Sequence, residues 1–97
     1  MKIIWSPLAL DRVYDIALHI SEDKINAAEK WVTSIFERVS TLETFPKSGR
    51  VVPELGKESI REVLFGDYRI VYRLLPDEVQ ILTIRHGQQI LSARDLG

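Results

Sequence analysis

Arginines at 61, 69 and 73, a glutamate at 62 and a histidine at 86 are the residues of this chain whose types and spacing could do chemistry. Most of them fall in the stretch Arg61-Glu62-Val63-Leu64-Phe65-Gly66-Asp67-Tyr68-Arg69-Ile70-Val71-Tyr72-Arg73, which reads as two strands joined by a tight hairpin. Gly66-Asp67 suits a two-residue type II′ turn, whose first central residue needs the positive φ that glycine adopts freely. That turn sets a register with Tyr68 opposite Phe65, Ile70 opposite Val63 and Tyr72 opposite Arg61. One face of the hairpin is then aromatic and aliphatic. The other carries Arg69 and Arg73, with Glu62 diagonally between them and within cross-strand reach. Such a face is built either to meet something anionic or to be covered. Guanidinium groups favour planar, two-pronged contacts to carboxylate or phosphate, and their competing duty is a salt bridge on the sheet.

The chain has 97 residues, enough for one domain with a core of its own. It has no cysteine, which excludes disulfides and thiolate metal sites, and its two histidines are far apart in sequence, so neither a metal nor a cofactor is expected. The opening Met1-Lys2-Ile3-Ile4-Trp5-Ser6-Pro7 lacks the apolar core of a signal peptide, and no segment reads as a membrane span, so a cytoplasmic location is expected. Thirteen basic and fourteen acidic residues give a net charge of −1, which argues against a protein that grips nucleic acid as its main substrate. The cations are unevenly spread: residues 61–97 hold five arginines and no lysine, whereas residues 1–60 hold five lysines and three arginines.

The elements that must position these groups are legible in outline. Residues 2–5 form a short apolar strand. Ser6-Pro7 is a helix start, with a capping hydroxyl followed by proline at the first helical position. Leu10, Val13, Ala17 and Ile20 then mark the buried face of a helix over 7–21. After a break at Ser21-Glu22-Asp23, with Asp23 as the capping residue, a second helix runs over about 24–43. Ala28, Trp31 or Val32, Ile35, Val39 and Leu42 repeat on it at the period of a helix packed against an antiparallel partner. Phe45-Pro46-Lys47-Ser48-Gly49-Arg50 ends that helix and opens a loop to about residue 59. Strands follow over about 60–65, 68–75 and 79–86, with Pro76 preset for the second turn, and then a tail from Gly87 that forms a short helix or strand or is ordered on binding. The order predicts an α+β fold: an N-terminal strand, an antiparallel helical hairpin and a three-stranded antiparallel β-meander, with the helices packed on one face.

Four pieces in this order resemble the RelE/ParE superfamily of toxins from bacterial toxin–antitoxin systems, and more narrowly its ParE, plasmid-stabilisation branch. They are Trp5-Ser6-Pro7 with Ala9 and Asp11; Asn26-Ala27-Ala28; Phe45-Pro46 with Gly49-Arg50; and Arg61-Glu62 with Gly66, Tyr68-Arg69-Ile70-Val71-Tyr72. Ile84, His86 and Gly87 close the pattern. The resemblance implies one of two activities, because RelE-type members cleave ribosome-bound mRNA whereas ParE-type members poison DNA gyrase. The RelE-type ribonucleases place lysines where this chain has Ile60 and Glu62, and an arginine and a tyrosine where it has Gln89 and Asp95. Only Arg69 remains of that set. Cleavage at a 2′-hydroxyl needs a proton acceptor, a donor and cations for the developing charge, which one arginine cannot supply. His86 could act as acid or base, but a histidine at a strand end beside glycine reads first as a capping or packing residue, and His19 as a surface residue near a helix end. One departure from the ParE pattern is Gln88-Gln89, where many such sequences carry basic residues after His-Gly.

The resemblance therefore implies a non-enzymatic toxin that inhibits DNA gyrase and is neutralised by a ParD-like ribbon-helix-helix antitoxin. It would meet nucleic acid only through that antitoxin or gyrase, and would need no membrane. The alternatives are an mRNA endoribonuclease of the RelE type and a non-toxic homologue that only binds an antitoxin. Antitoxin tails of this kind set acidic groups against toxin arginines and bury apolar residues in a groove. Arg61, Arg69, Arg73, Tyr14 and His86 are the residues expected to contact antitoxin or target. The competing role of Arg61 is an edge ion pair with an acid of either helix, and Trp31 reads as core before interface.

Overall fold

The computed structural model describes residues 1–96, without the side chains of Ala93 and Asp95; what was expected of Asp95 and of the final residue lies outside the described residues. Strand β1 (Lys2–Trp5) leads through Ser6 into helix α1 (Pro7–Ser21), then α2 (Ile25–Ser40), which tightens into a 3-10 turn over Thr41–Glu43. Strands β2 (Arg50–Val51), β3 (Ile60–Phe65), β4 (Tyr68–Leu74) and β5 (Glu78–His86) follow, and a 3-10 turn spans Ala93–Leu96.

The hairpin has the expected register: Phe65 faces Tyr68, Val63 faces Ile70 and Arg61 faces Tyr72. Gly66 takes φ +57°, the conformation for which the turn needs glycine. The meander is only the centre of the sheet, however, which has five strands in the order β1-β5-β4-β3-β2. Strand β1 joins in parallel beside β5, because the helical pair carries the chain across the sheet before β5 returns along its edge. At the far edge Arg50 and Val51, read from sequence as loop, pair with Glu62 and Arg61.

Ser6 ties two of these features together. Its hydroxyl oxygen accepts the Ala9 N–H at 3.0 Å, the expected cap, and its proton goes to the Leu82 carbonyl at 2.9 Å. That carbonyl lies at a β-bulge, since Val71 pairs with Thr83 and Tyr72 with Ile81, leaving Leu82 unmatched on β4. The start of α2 departs from expectation. Lys24 is its capping residue and makes no side-chain cap bond, while the Asp23 N–H is bonded to the Ile20 carbonyl. Asp23 is therefore held in the outgoing turn of α1, one residue too early to cap α2.

The main core lies between the helices and one sheet face and contains Val13, Ile35, Val39, Leu42, Ile70, Tyr72 and Ile81. Helix α1 is rotated from the sequence reading: Ala9 and Val13 are buried, while Leu10 is 44% exposed, because Ala9 sits directly under the Ser6 cap against the sheet. Trp31 is half-buried and meets the rings of Phe65 and Tyr68 edge-on, so it belongs to this core. The opposite sheet face is covered too. Val52, Ile60, Val71, Leu82 and Leu91 form a second cluster there, roofed by the β2–β3 loop and the chain after β5.

Candidate functional site

The sheet face that carries Arg69 is closed by side chains from the chain's own loops. Arg69 projects from β4 and is 4% exposed. Its Nη1 and Nη2 donate to the two oxygens of Glu54 at 2.7 and 2.8 Å, a bidentate fork. Its Nε donates to Glu62 Oε1 at 2.6 Å, with Nη2 also 2.6 Å from that oxygen, and Nη1 donates to the Gln89 carbonyl at 3.0 Å. The guanidinium is thus held by four hydrogen bonds and by a further ion-pair contact to Glu62. The second oxygen of Glu62 receives Arg50 Nε at 2.7 Å, and Glu54 Oε2 also accepts the Leu91 N–H at 3.0 Å.

The electrostatics follow from this geometry. Hydrogen bonds from Arg69, helped by the Leu91 N–H, draw the Glu54 carboxyl down to about 2 against a burial penalty that acts the other way. The two glutamates, Glu54 foremost, hold the Arg69 guanidinium further above its ordinary value. A guanidinium so occupied can neither act as an acid nor receive a phosphate without first losing Glu54 and Glu62.

Arg61 is likewise engaged. It lies on the helix-facing side near Tyr72, and its ion-pair partner is Glu58 of the loop, at 2.5 Å, not an acid of either helix. Its Nη1 donates to the Gly49 carbonyl at 2.9 Å. Tyr72 Oη accepts the Gly49 N–H at 3.0 Å and donates to the Pro46 carbonyl at 2.7 Å. The Phe45-Pro46-x-x-Gly49-Arg50 motif is therefore a loop pinned to β4. Burial, eased by the Gly49 N–H, pushes the Tyr72 hydroxyl above its ordinary value. Arg73, opposite Ile60, is half-buried and makes no ion pair among the described residues, so of the two arginines expected to pair with Glu62 only Arg69 does, and Arg50 takes the other oxygen.

His86 stands elsewhere. Its ring packs edge-on against Tyr68, whose ring in turn meets Trp31 of α2, so His86 is on the helix-facing side while Arg69 is on the other. There it lines a cleft of about 330 Å³ with Arg12, Asp15 and His19 of α1. The fold thus brings together two histidines that the sequence separates. Among the described residues no group of His, Asp and Glu is placed to hold a metal ion. Tyr14 is 67% exposed and, with Leu18, lines a second, mostly apolar groove of about 460 Å³ between α1 and α2.

Sequence reading missed Glu54, Glu58 and Arg50, which complete the arginine network, and Arg12 and Asp15, which complete the histidine cleft. Glu54 sits in a turn-rich loop with nothing local to connect it to Arg69. The Gln89 contribution to Arg69 is a backbone carbonyl, to which residue type is blind. The i, i+3 and i+4 spacings of Arg12, Asp15 and His19 were a signal, since they share one side of a helix.

These features define a small α+β protein whose Arg61 and Arg69 are turned inward and whose helical hairpin leaves an apolar groove open. The family described as ParE toxin of the type II toxin–antitoxin system, parDE, matches residues 3–91, and the chain belongs to it. It is 37% identical over 91 residues to the candidate toxin Y4kP of Sinorhizobium fredii, covering 91% of this chain and 90% of that protein. In fold it is similar to a chain from the solved chromosomal ParDE toxin–antitoxin system of P. aeruginosa, with a TM-score of 0.76 at 23% identity over 91% of this chain and 97% of that one. Among the described residues no helix is long and apolar enough to cross a membrane.

Proposed function

We propose that this ParE-family toxin acts without catalysis, by binding DNA gyrase in the cytoplasm, and that a ParD-like ribbon-helix-helix antitoxin holds it inactive. The observation that supports this reading is the closure of Arg69 by Glu54 and Glu62, with His86 on the opposite side of the sheet. Transcript cleavage needs a proton acceptor, a donor and a free cation converging on one phosphate, and Arg69, the cation retained from the nuclease set, does not meet His86.

The antitoxin would dock on the groove between α1 and α2, where Tyr14 and Leu18 are 67% and 52% exposed. Arg73 and His86 remain candidate contacts for antitoxin or target. Arg61 and Arg69 are withdrawn from that role because their donors are already committed inside the fold.

Purified toxin added to gyrase, relaxed plasmid and ATP tests the reading. Supercoiling should stop, or cleaved plasmid accumulate, and added antitoxin should restore supercoiling. Unchanged supercoiling at a toxin excess that arrests growth would remove gyrase as the target.

A further inference from the structure

The cleft between α1 and the end of β5 is rich in hydrogen-bond donors that the arginine network does not consume. The Arg12 Nε is shielded from solvent and has no hydrogen-bond partner among the described residues. His86 Nδ1 accepts a long hydrogen bond from the Gln88 N–H, 3.4 Å, which places the proton of the neutral ring on Nε2 as a donor. Gln89 Oε1 accepts the His86 N–H at 3.0 Å; a backbone N–H must meet an oxygen, so the NH2 of that amide is left to donate. Arg85 and His19 also line the cleft, and Asp15 is the one carboxylate among the lining residues.

We propose that this cleft binds a phosphate-class oxyanion, supplied by a nucleic-acid backbone or by a free nucleotide. Two contrasts within the molecule support a tetrahedral anion over a carboxylate. A planar carboxylate is served by one fork, as Arg69 serves Glu54. Here donors arrive from α1, from the last residue of β5 and from the turn after it, which suits oxygens pointing in several directions. The cleft also sets the Arg12 guanidinium and two imidazole rings against one carboxylate, and an anion would satisfy the shielded Arg12 Nε. This inference is independent of the gyrase reading, because it concerns a ligand rather than a target.

The test is a titration of the full chain with inorganic phosphate, with dAMP and with a short DNA duplex, following the ring resonances of His19 and His86 by NMR. Saturable shifts at both rings are expected. Arg12→Gln should weaken binding about tenfold, the loss of one charge-assisted bond. Asp15→Asn should tighten it, which a merely structural role for Asp15 would not produce. Tighter binding of the duplex than of dAMP would identify a nucleic-acid source, and the reverse order a nucleotide. Were Arg12→Gln to lose its fold, His86→Ala and Asp15→Asn would carry the same comparison. Absence of shifts, shifts unchanged in all three variants, or binding of an acidic peptide but not phosphate would overturn the proposal.

Discussion

Arg69 and Glu54 are joined by two parallel hydrogen bonds, 2.7 and 2.8 Å long, that fasten the β2–β3 loop onto the middle of the sheet. Glu62, whose side chain is 0% exposed, completes the clamp from the neighbouring strand. The arginine that the nuclease branch would use on a transcript is here a structural fastener. Arg69→Gln should therefore destabilise the fold by about 3–5 kcal/mol, because it leaves the Glu62 charge buried with only Arg50 beside it. Glu54→Gln, at a partly exposed position, should cost about 1 kcal/mol. Urea unfolding of the two variants measures both, and equal effects would contradict the assignment.

The acid limb of stability should carry the signature of Glu54. Its carboxyl is drawn from 4.5 down to about 2 in the folded chain, so folding disfavours its protonation. That contribution is complete above the unfolded value and disappears as pH falls through the folded one. Thermal unfolding between pH 5 and 2 should show a decline that is shallower in Glu54→Gln.

Tyr72 and Gly49 form the second fastener. Removing the hydroxyl in Tyr72→Phe leaves the buried Gly49 N–H without its acceptor, at a cost of about 1–3 kcal/mol. Because the folded hydroxyl is harder to ionise than the unfolded one, stability should fall as pH rises above 10, and Tyr72→Phe should lack that fall. Gly49→Ala should be worse, since a Cβ there would lie 2.6 Å from the Glu62 carbonyl oxygen and from Tyr72 Oη. Denaturant midpoints for the two variants test that order.

The groove between the helices separates binding from folding. Tyr14→Glu and Leu18→Glu change side chains that are mostly in solvent, so each should leave the unfolding midpoint within about 0.5 kcal/mol of the parent. Each should weaken antitoxin affinity by at least about tenfold if the groove is the docking surface. Calorimetric titration with antitoxin reads the difference, and unaltered affinity in both variants would move the docking site elsewhere.

Much of the fold was legible because local rules and tertiary packing agreed. Gly66 permitted one turn, the turn set one register, and Ser6-Pro7 permitted one helix start. The sheet edges were not legible. A two-residue strand at Arg50–Val51 has no periodicity to detect, and the parallel pairing of β1 with β5 depends on how the helices cross. The bulge at Leu82 also shifts the inward positions of β5 from Val79 and Ile81 to Ile84, which breaks a strict alternation. For the site, residue type marked Arg69 as important but not what it faces. Whether a guanidinium on a strand is offered or withdrawn depends on distant acids, here Glu54 in a loop with no pattern of its own.

On this reading Arg61 and Arg69 fasten the fold and the chain does not cleave a transcript. The most direct test is primer extension on an mRNA in a translation extract, with the purified toxin and its Arg69→Gln and His86→Ala variants. An intact message with all three proteins is the predicted result. Cuts at the ribosome that appear with the parent chain and vanish with His86→Ala would contradict it.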